Sequence, residues 1–146
     1  MPRLNFRLQG YLDLKAKMED QRKLEYGQAL ANLKRERDKL DMYETRREET
    51  LSEFREGVKK AIDPKQTAIY NNYLTWLVES IELQEGLVRR AEAETERRRI
   101  ALTEAMKERK IMEKLKEKDH ETFIKEEQLK EQKIQDETVS YRYSRA

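Results

Sequence analysis

Apolar side chains recur along this chain in alternating steps of four and three. Before Pro64 the series runs through Tyr26, Leu30, Leu33, Arg37, Leu40, Glu44, Arg47, Leu51, Phe54, Val58 and Ala61. After it come Leu74, Leu77, Ile81, Gln84, Val88, Ala91, Thr95, Arg98, Leu102, Ala105, Arg109 and Met112. A spacing of about 3.5 sustained over many turns is the signature of helices that pack through a narrow seam. Polar members of such a series are tolerated when long stems cover the seam and the charged heads reach water.

A single strong break interrupts the pattern. Proline disfavours helix in the residue before it and suits the first helical position, so Asp63-Pro64 reads as the end of one helix and the start of another. Asp63 can cap the second helix by accepting the amide of Gln66, whose side chain can reach back as in a capping box. A connection this short forces the helices to run antiparallel. The predicted fold is all-α: two long helices in one antiparallel coiled-coil hairpin spanning 1–146, bent at Asp63-Pro64. Arm one covers 4–62, the longer arm two covers 64–138, and a flexible tail covers 139–146. Folding about position 63 places Leu51 opposite Thr75 and Leu12 near Lys114. Residues beyond about 122 then lack a partner in the chain, either as a frayed end or as a segment that awaits another protein.

Composition sharpens this picture. Asp, Glu, Lys and Arg make up 42% of the 146 residues, and Leu, Ile, Val and Phe fill only 30 positions, too few for a conventional globular core. Basic and acidic residues nearly cancel, 32 against 30, and Gly plus Pro total six, whereas disordered chains carry large net charge and many breakers. Near-neutrality also argues against a nucleic-acid binder. Arg97-Arg98-Arg99 and Arg89-Arg90 are interleaved with Glu92, Glu94 and Glu96 and read as a solvated face. With no cysteine there is no disulfide framework or thiolate chemistry, and no window approaches the length of apolar sequence that crosses a bilayer. His120 is the only histidine, and its neighbour Glu121 points elsewhere on a helix, so no metal or cofactor is expected. The four glycines are isolated, without a phosphate-binding loop, and no enzymatic activity is expected.

One stretch departs from the rest. Between Lys65 and Val88 only Lys65, Glu79, Glu82 and Glu85 are charged, and twelve of the 24 residues are apolar. They form two stripes, Tyr70-Leu74-Leu77-Ile81-Val88 and Ile69-Tyr73-Trp76-Leu83-Leu87, about twice the arc that a two-stranded seam buries. The second stripe is either a protein-binding surface, or is covered by the first arm near the bend or by a second hairpin. Leu40 and Tyr43 lie near its level on arm one.

Two segments carry a family resemblance. Asn5-Phe6-Arg7-Leu8-Gln9-Gly10-Tyr11-Leu12-Asp13-Leu14-Lys15 with Met18-Glu19-Asp20, and Ile69-Tyr70-Asn71-Asn72-Tyr73-Leu74-Thr75-Trp76-Leu77 followed by Ile81, resemble the opening and the post-bend segment of the FliJ family. That family is the small coiled-coil component of the flagellar type III protein export apparatus. The resemblance implies a cytoplasmic protein, peripheral at the cytoplasmic face of the inner membrane and a monomer when free. It implies a stalk-like element between the export ATPase and the cytoplasmic domain of the export gate, and an escort for export chaperones. Carried over by position, the gate contacts are Leu40, Tyr43, Tyr73, Leu77, Ser80 and Gln84, and the second stripe adds Trp76 to them. The ATPase contacts at the helix ends are Phe6, Leu8, Leu12, Phe123 and Ile124. The rival reading is a structural or scaffolding coiled coil without an export role.

Overall fold

The computed structural model describes residues 6–145. Leu4 and Asn5, where arm one is predicted to begin, and Ala146 lie outside them. Two long helices, α1 (Gln9–Lys60) and α2 (Pro64–Arg145), pack against each other as a helical hairpin, α2 being the longer. Helix α1 opens with the Gln9 amide donating to the Phe6 carbonyl at 3.0 Å. At the bend, Asp63 caps α2: its carboxylate accepts the Lys65 amide at 3.1 Å, and its carbonyl takes the first intrahelical bond from Thr67 at 2.9 Å. The amide satisfied is thus that of Lys65, one position before the Gln66 amide that the sequence suggests, and both are orphan donors of a first helical turn.

Helix α2 continues through 139–145, where the sequence reading ends the arm at 138. No glycine or proline interrupts those residues, and Ser144 bonds back to the Tyr141 carbonyl at 2.9 Å.

The chain groups into two compact units, Arg22–Leu102 around the bend, and Met1–Gln21 with Thr103–Ala146. In the bend unit, the predicted α2 seam is the observed one: Leu77, Ile81, Gln84, Val88, Ala91 and Thr95 are buried, and Leu74, Arg98 and Leu102 half-buried. On α1 the register differs. Tyr26, Leu33, Leu40 and Phe54 line the seam as predicted, but the alternate positions are Ala29, Glu36, Tyr43 and Thr50, each one residue before the predicted Leu30, Arg37, Glu44 and Leu51. Leu30, Arg37 and Glu44 are exposed, and Leu51 is half-buried. Val58, Ala61 and Arg47 are also exposed, so the seam does not reach the last turn of α1.

Buried polar side chains in this seam find partners, as desolvation requires. Gln84 donates to the Glu36 carbonyl at 2.9 Å and to its carboxylate, and Thr95 reaches the Ala29 carbonyl at 3.3 Å. Thr50 donates to the Arg46 carbonyl one turn back at 2.7 Å. Arg98 crosses to Glu25 at 3.1 Å. Leu33, Val88 and Ala91 form the apolar cluster, with Leu40 against it. The pairing observed is close to a fold centred on 63, with Thr95 against Ala29, Arg98 against Glu25 and the Tyr70 ring against Phe54, although the Tyr43 ring reaches Trp76 instead of Leu83.

In the other unit, Phe6, Leu12 and Met112 form a buried cluster, close to the predicted level of Lys114. Glu19, 5% exposed, pairs with Arg109, which also bonds Glu113. The Glu113 bond, followed by the one to Glu19, raises the Arg109 pKa. Lys15 bonds Glu108 at 2.9 Å, which raises its own pKa. Beyond Phe123, itself half-buried, every described side chain except Glu127 is exposed, Leu129, Ile134, Val139, Tyr141 and Tyr143 included.

Candidate interaction surface

Helical geometry sorts the residues after the bend into two faces. With Leu77 at the centre of the seam, steps of about 100° per residue place Tyr73, Ser80, Ile69, Leu87, Trp76 and Leu83 on one flank. Leu77 is 0% exposed, whereas Trp76 is 51% and Leu83 74% exposed, and Ile69 and Leu87 are open as well. Tyr73 and Ser80, nearest the seam, are half-buried. Ile69, Trp76, Leu83 and Leu87 of the second stripe are therefore left open to water, while Tyr73 is partly covered by α1.

The aromatic side chains on this flank form a connected set. Tyr73 and Trp76 stack with centroids 5.9 Å apart and 16° between planes. Tyr43 of α1 meets the Trp76 ring edge-on at 6.1 Å and 80°. These are the offset and T-shaped geometries that ring quadrupoles favour. Arg46 donates to the Tyr73 hydroxyl at 3.2 Å and pairs with Glu49 and Glu53. The Tyr73 bond first, and then Glu49, raise the Arg46 pKa and hold the guanidinium at the rim. Trp76 thus presents a pre-positioned face instead of a swinging side chain.

The seven residues expected at the gate contact divide by burial. Trp76 faces solvent, while Tyr43, Tyr73, Ser80 and Leu40 are half-buried at the flank or against the seam. Leu77 and Gln84 are interior, because they occupy the two heptad positions that face α1. Arg46 is absent from that set, as is the pairing of Ile69, Leu83 and Leu87 with it. The stripe signals the last three, and Arg46 has no sequence signal, since its contact depends on the other arm.

At the helix ends the same sorting applies. Phe6 and Leu12 are buried with Met112, while Leu8 and Ile124 are exposed and Phe123 is half-buried. Leu8 and Leu115 line an open groove there with Phe6, Arg7, Lys118 and Thr122. Tyr11, Ile111 and Leu115, exposed apolar residues of this unit, carried no prediction.

The basic run finds acidic neighbours. Arg97 pairs with Glu94, Arg98 with Glu94 and Glu25, and Arg99 with Glu96, which lowers the Glu96 pKa. Among the described residues no group of three or more His, Asp or Glu is placed to hold a metal ion, and no helix is long and apolar enough to cross a membrane.

The fold is a helical hairpin with exposed aromatic and aliphatic side chains on one flank beside its bend. The family model described as flagellar FliJ protein matches residues 4–146, and the chain belongs to that family. Membership makes it a component of the flagellar protein export apparatus. No curated protein and no solved structure gives a significant match to the chain.

Proposed function

We propose that this hairpin is a stalk-like coupling element, engaging the flagellar export ATPase through its helix ends and the cytoplasmic domain of the export gate through the Trp76 flank. In this reading it also escorts export chaperones, and works as a monomer in the cytoplasm at the inner face of the membrane. The observation that supports it best is the uncovered flank itself. Trp and Tyr are the residue types most enriched among binding hot spots, and here they are held in one stacked set beside the bend.

The contact set follows from burial: Trp76, Tyr73, Tyr43, Leu83 and Leu87 meet the gate, while Leu77 and Gln84 hold the backbone that presents them. Titration calorimetry with the gate's cytoplasmic domain tests this. Trp76→Ala with Leu83→Ala weakens binding by about 2 kcal/mol or more with helicity retained. Unchanged affinity removes the flank from the gate contact. A tight homodimer of the free chain in sedimentation, with the flank protected, favours the scaffolding reading.

A further inference from the structure

The tip of the hairpin has a chemistry of its own, apart from the Trp76 flank. Its apolar residues are open: Ile62 is 77% exposed, with Val58, Ala61 and Pro64 also exposed. Around them stand Arg55, Lys59, Lys60 and Lys65, against only Glu56 and Asp63. Glu56 pairs with Lys59 at 3.3 Å, and the Asp63 carboxylate is engaged as the cap of α2. Arg55, Lys60 and Lys65 hold no ion pair among the described residues.

The tip is cationic: from Arg55 to Val78 there are four basic and two acidic residues, a net of +2. After Lys65 no charged residue occurs until Glu79.

Exposed aliphatic side chains ringed by cations are the arrangement that an anionic bilayer surface attracts. Each Lys or Arg near such a surface is drawn by the negative potential, and apolar residues enter the headgroup boundary. We propose that the tip, centred on Ile62 with Lys60 and Lys65, is a reversible docking point for an anionic phospholipid surface. Charge complementarity selects this occupant. A protein groove would take the aliphatic residues, but would leave Arg55, Lys60 and Lys65, which hold no ion pair among the described residues, without a counter-charge. Two or three unpaired cations and one aliphatic wedge give weak binding, suited to orienting the hairpin toward a membrane rather than anchoring it.

Co-sedimentation of the full chain with vesicles tests this. Vesicles of equal parts phosphatidylglycerol and phosphatidylcholine are compared with pure phosphatidylcholine at low salt. The chain partitions onto the anionic vesicles and not onto the neutral ones, and added salt releases it. Lys60→Gln and Lys65→Gln each lower the partition coefficient about fivefold, and Ile62→Ser lowers it further. All three positions are exposed, so helicity is retained, and circular dichroism verifies this. Lys133→Gln, an exposed cation on the distal part of α2, leaves partitioning unchanged. Absence of binding to the anionic vesicles, or an equal loss in Lys133→Gln, overturns the proposal. These readouts involve neither gate nor ATPase, so their failure leaves the export reading standing, and its failure leaves the tip proposal standing.

Discussion

Two adjacent residues, Leu77 and Trp76, should answer to different measurements. Leu77 is fully buried in the seam, and Leu77→Ala removes a side chain whose loss costs about 2–5 kcal/mol in a closed core. A two-stranded seam is open on both flanks, so neighbouring side chains can relax into the space, and the lower part of that range applies, about 2–3 kcal/mol. At about 3 °C per kcal/mol for a chain of this size, the unfolding midpoint falls by about 6–9 °C. Trp76 is half in water, and its stabilising contacts are one stacked and one edge-on ring, each worth about 0.5–1.5 kcal/mol. Trp76→Ala therefore costs about 1–3 kcal/mol of stability, no more than Leu77→Ala, while costing more in gate binding. Thermal unfolding followed by far-ultraviolet circular dichroism gives the first ranking and calorimetry the second. If Leu77→Ala unfolds within about 0.5 kcal/mol of the parent, or Trp76→Ala is the more destabilising, the assignment of seam and flank is wrong.

Three further outcomes follow from the same structure. Gln84→Leu exchanges a buried amide for an aliphatic side chain of similar volume but leaves the half-buried Glu36 carboxylate without its donor, and should cost about 1–3 kcal/mol in thermal unfolding; a neutral or stabilising change shows that the Gln84–Glu36 contact is dispensable to the hairpin. Asp63→Ala removes the cap of α2 and should cost about 1 kcal/mol, read as a lowered unfolding midpoint; an unchanged midpoint shows that the Lys65 amide is satisfied without it. The Glu96 carboxyl, held below its ordinary value of 4.5 by the bond from Arg99, should titrate below that value in carbon NMR. Its small stabilising contribution is present above the unfolded pKa and is lost as pH falls through the folded one. Arg99→Ala should return the midpoint toward 4.5, and a midpoint already there in the parent chain removes the pair.

Much of the fold is legible in the sequence because its rule is one-dimensional. The Asp63-Pro64 break follows from the effect of proline on the residue before it, every α2 seam position from Leu74 to Met112 follows from heptad spacing, and all twelve of those positions are buried or half-buried. Helix α1 is read half correctly. Its seam uses Ala29, Glu36 and Thr50, small or polar residues, while an apolar template selects the neighbouring Leu30 and Leu51 instead. Glu36 and Glu19 can be interior only because Gln84 and Arg109 stand opposite, and that depends on the alignment of the arms, which periodicity within one arm does not contain. The candidate site shows the same division. That a second stripe after the bend exceeds what the seam buries follows from counting apolar arc. Which carried-over residues point outward does not follow, and Leu77, Gln84, Phe6 and Leu12 prove to be interior.

The central claim is that Trp76 faces water in the free chain and is covered by the gate. It is the chain's one tryptophan, so fluorotryptophan incorporated into this chain alone gives a single fluorine NMR resonance, whatever aromatic residues the partner carries. The account predicts a solvent-accessible signal in the free protein, with a clear solvent-isotope shift that is lost when the gate's cytoplasmic domain is added. A signal already shielded in the free chain, or one that the gate domain leaves unmoved, contradicts it.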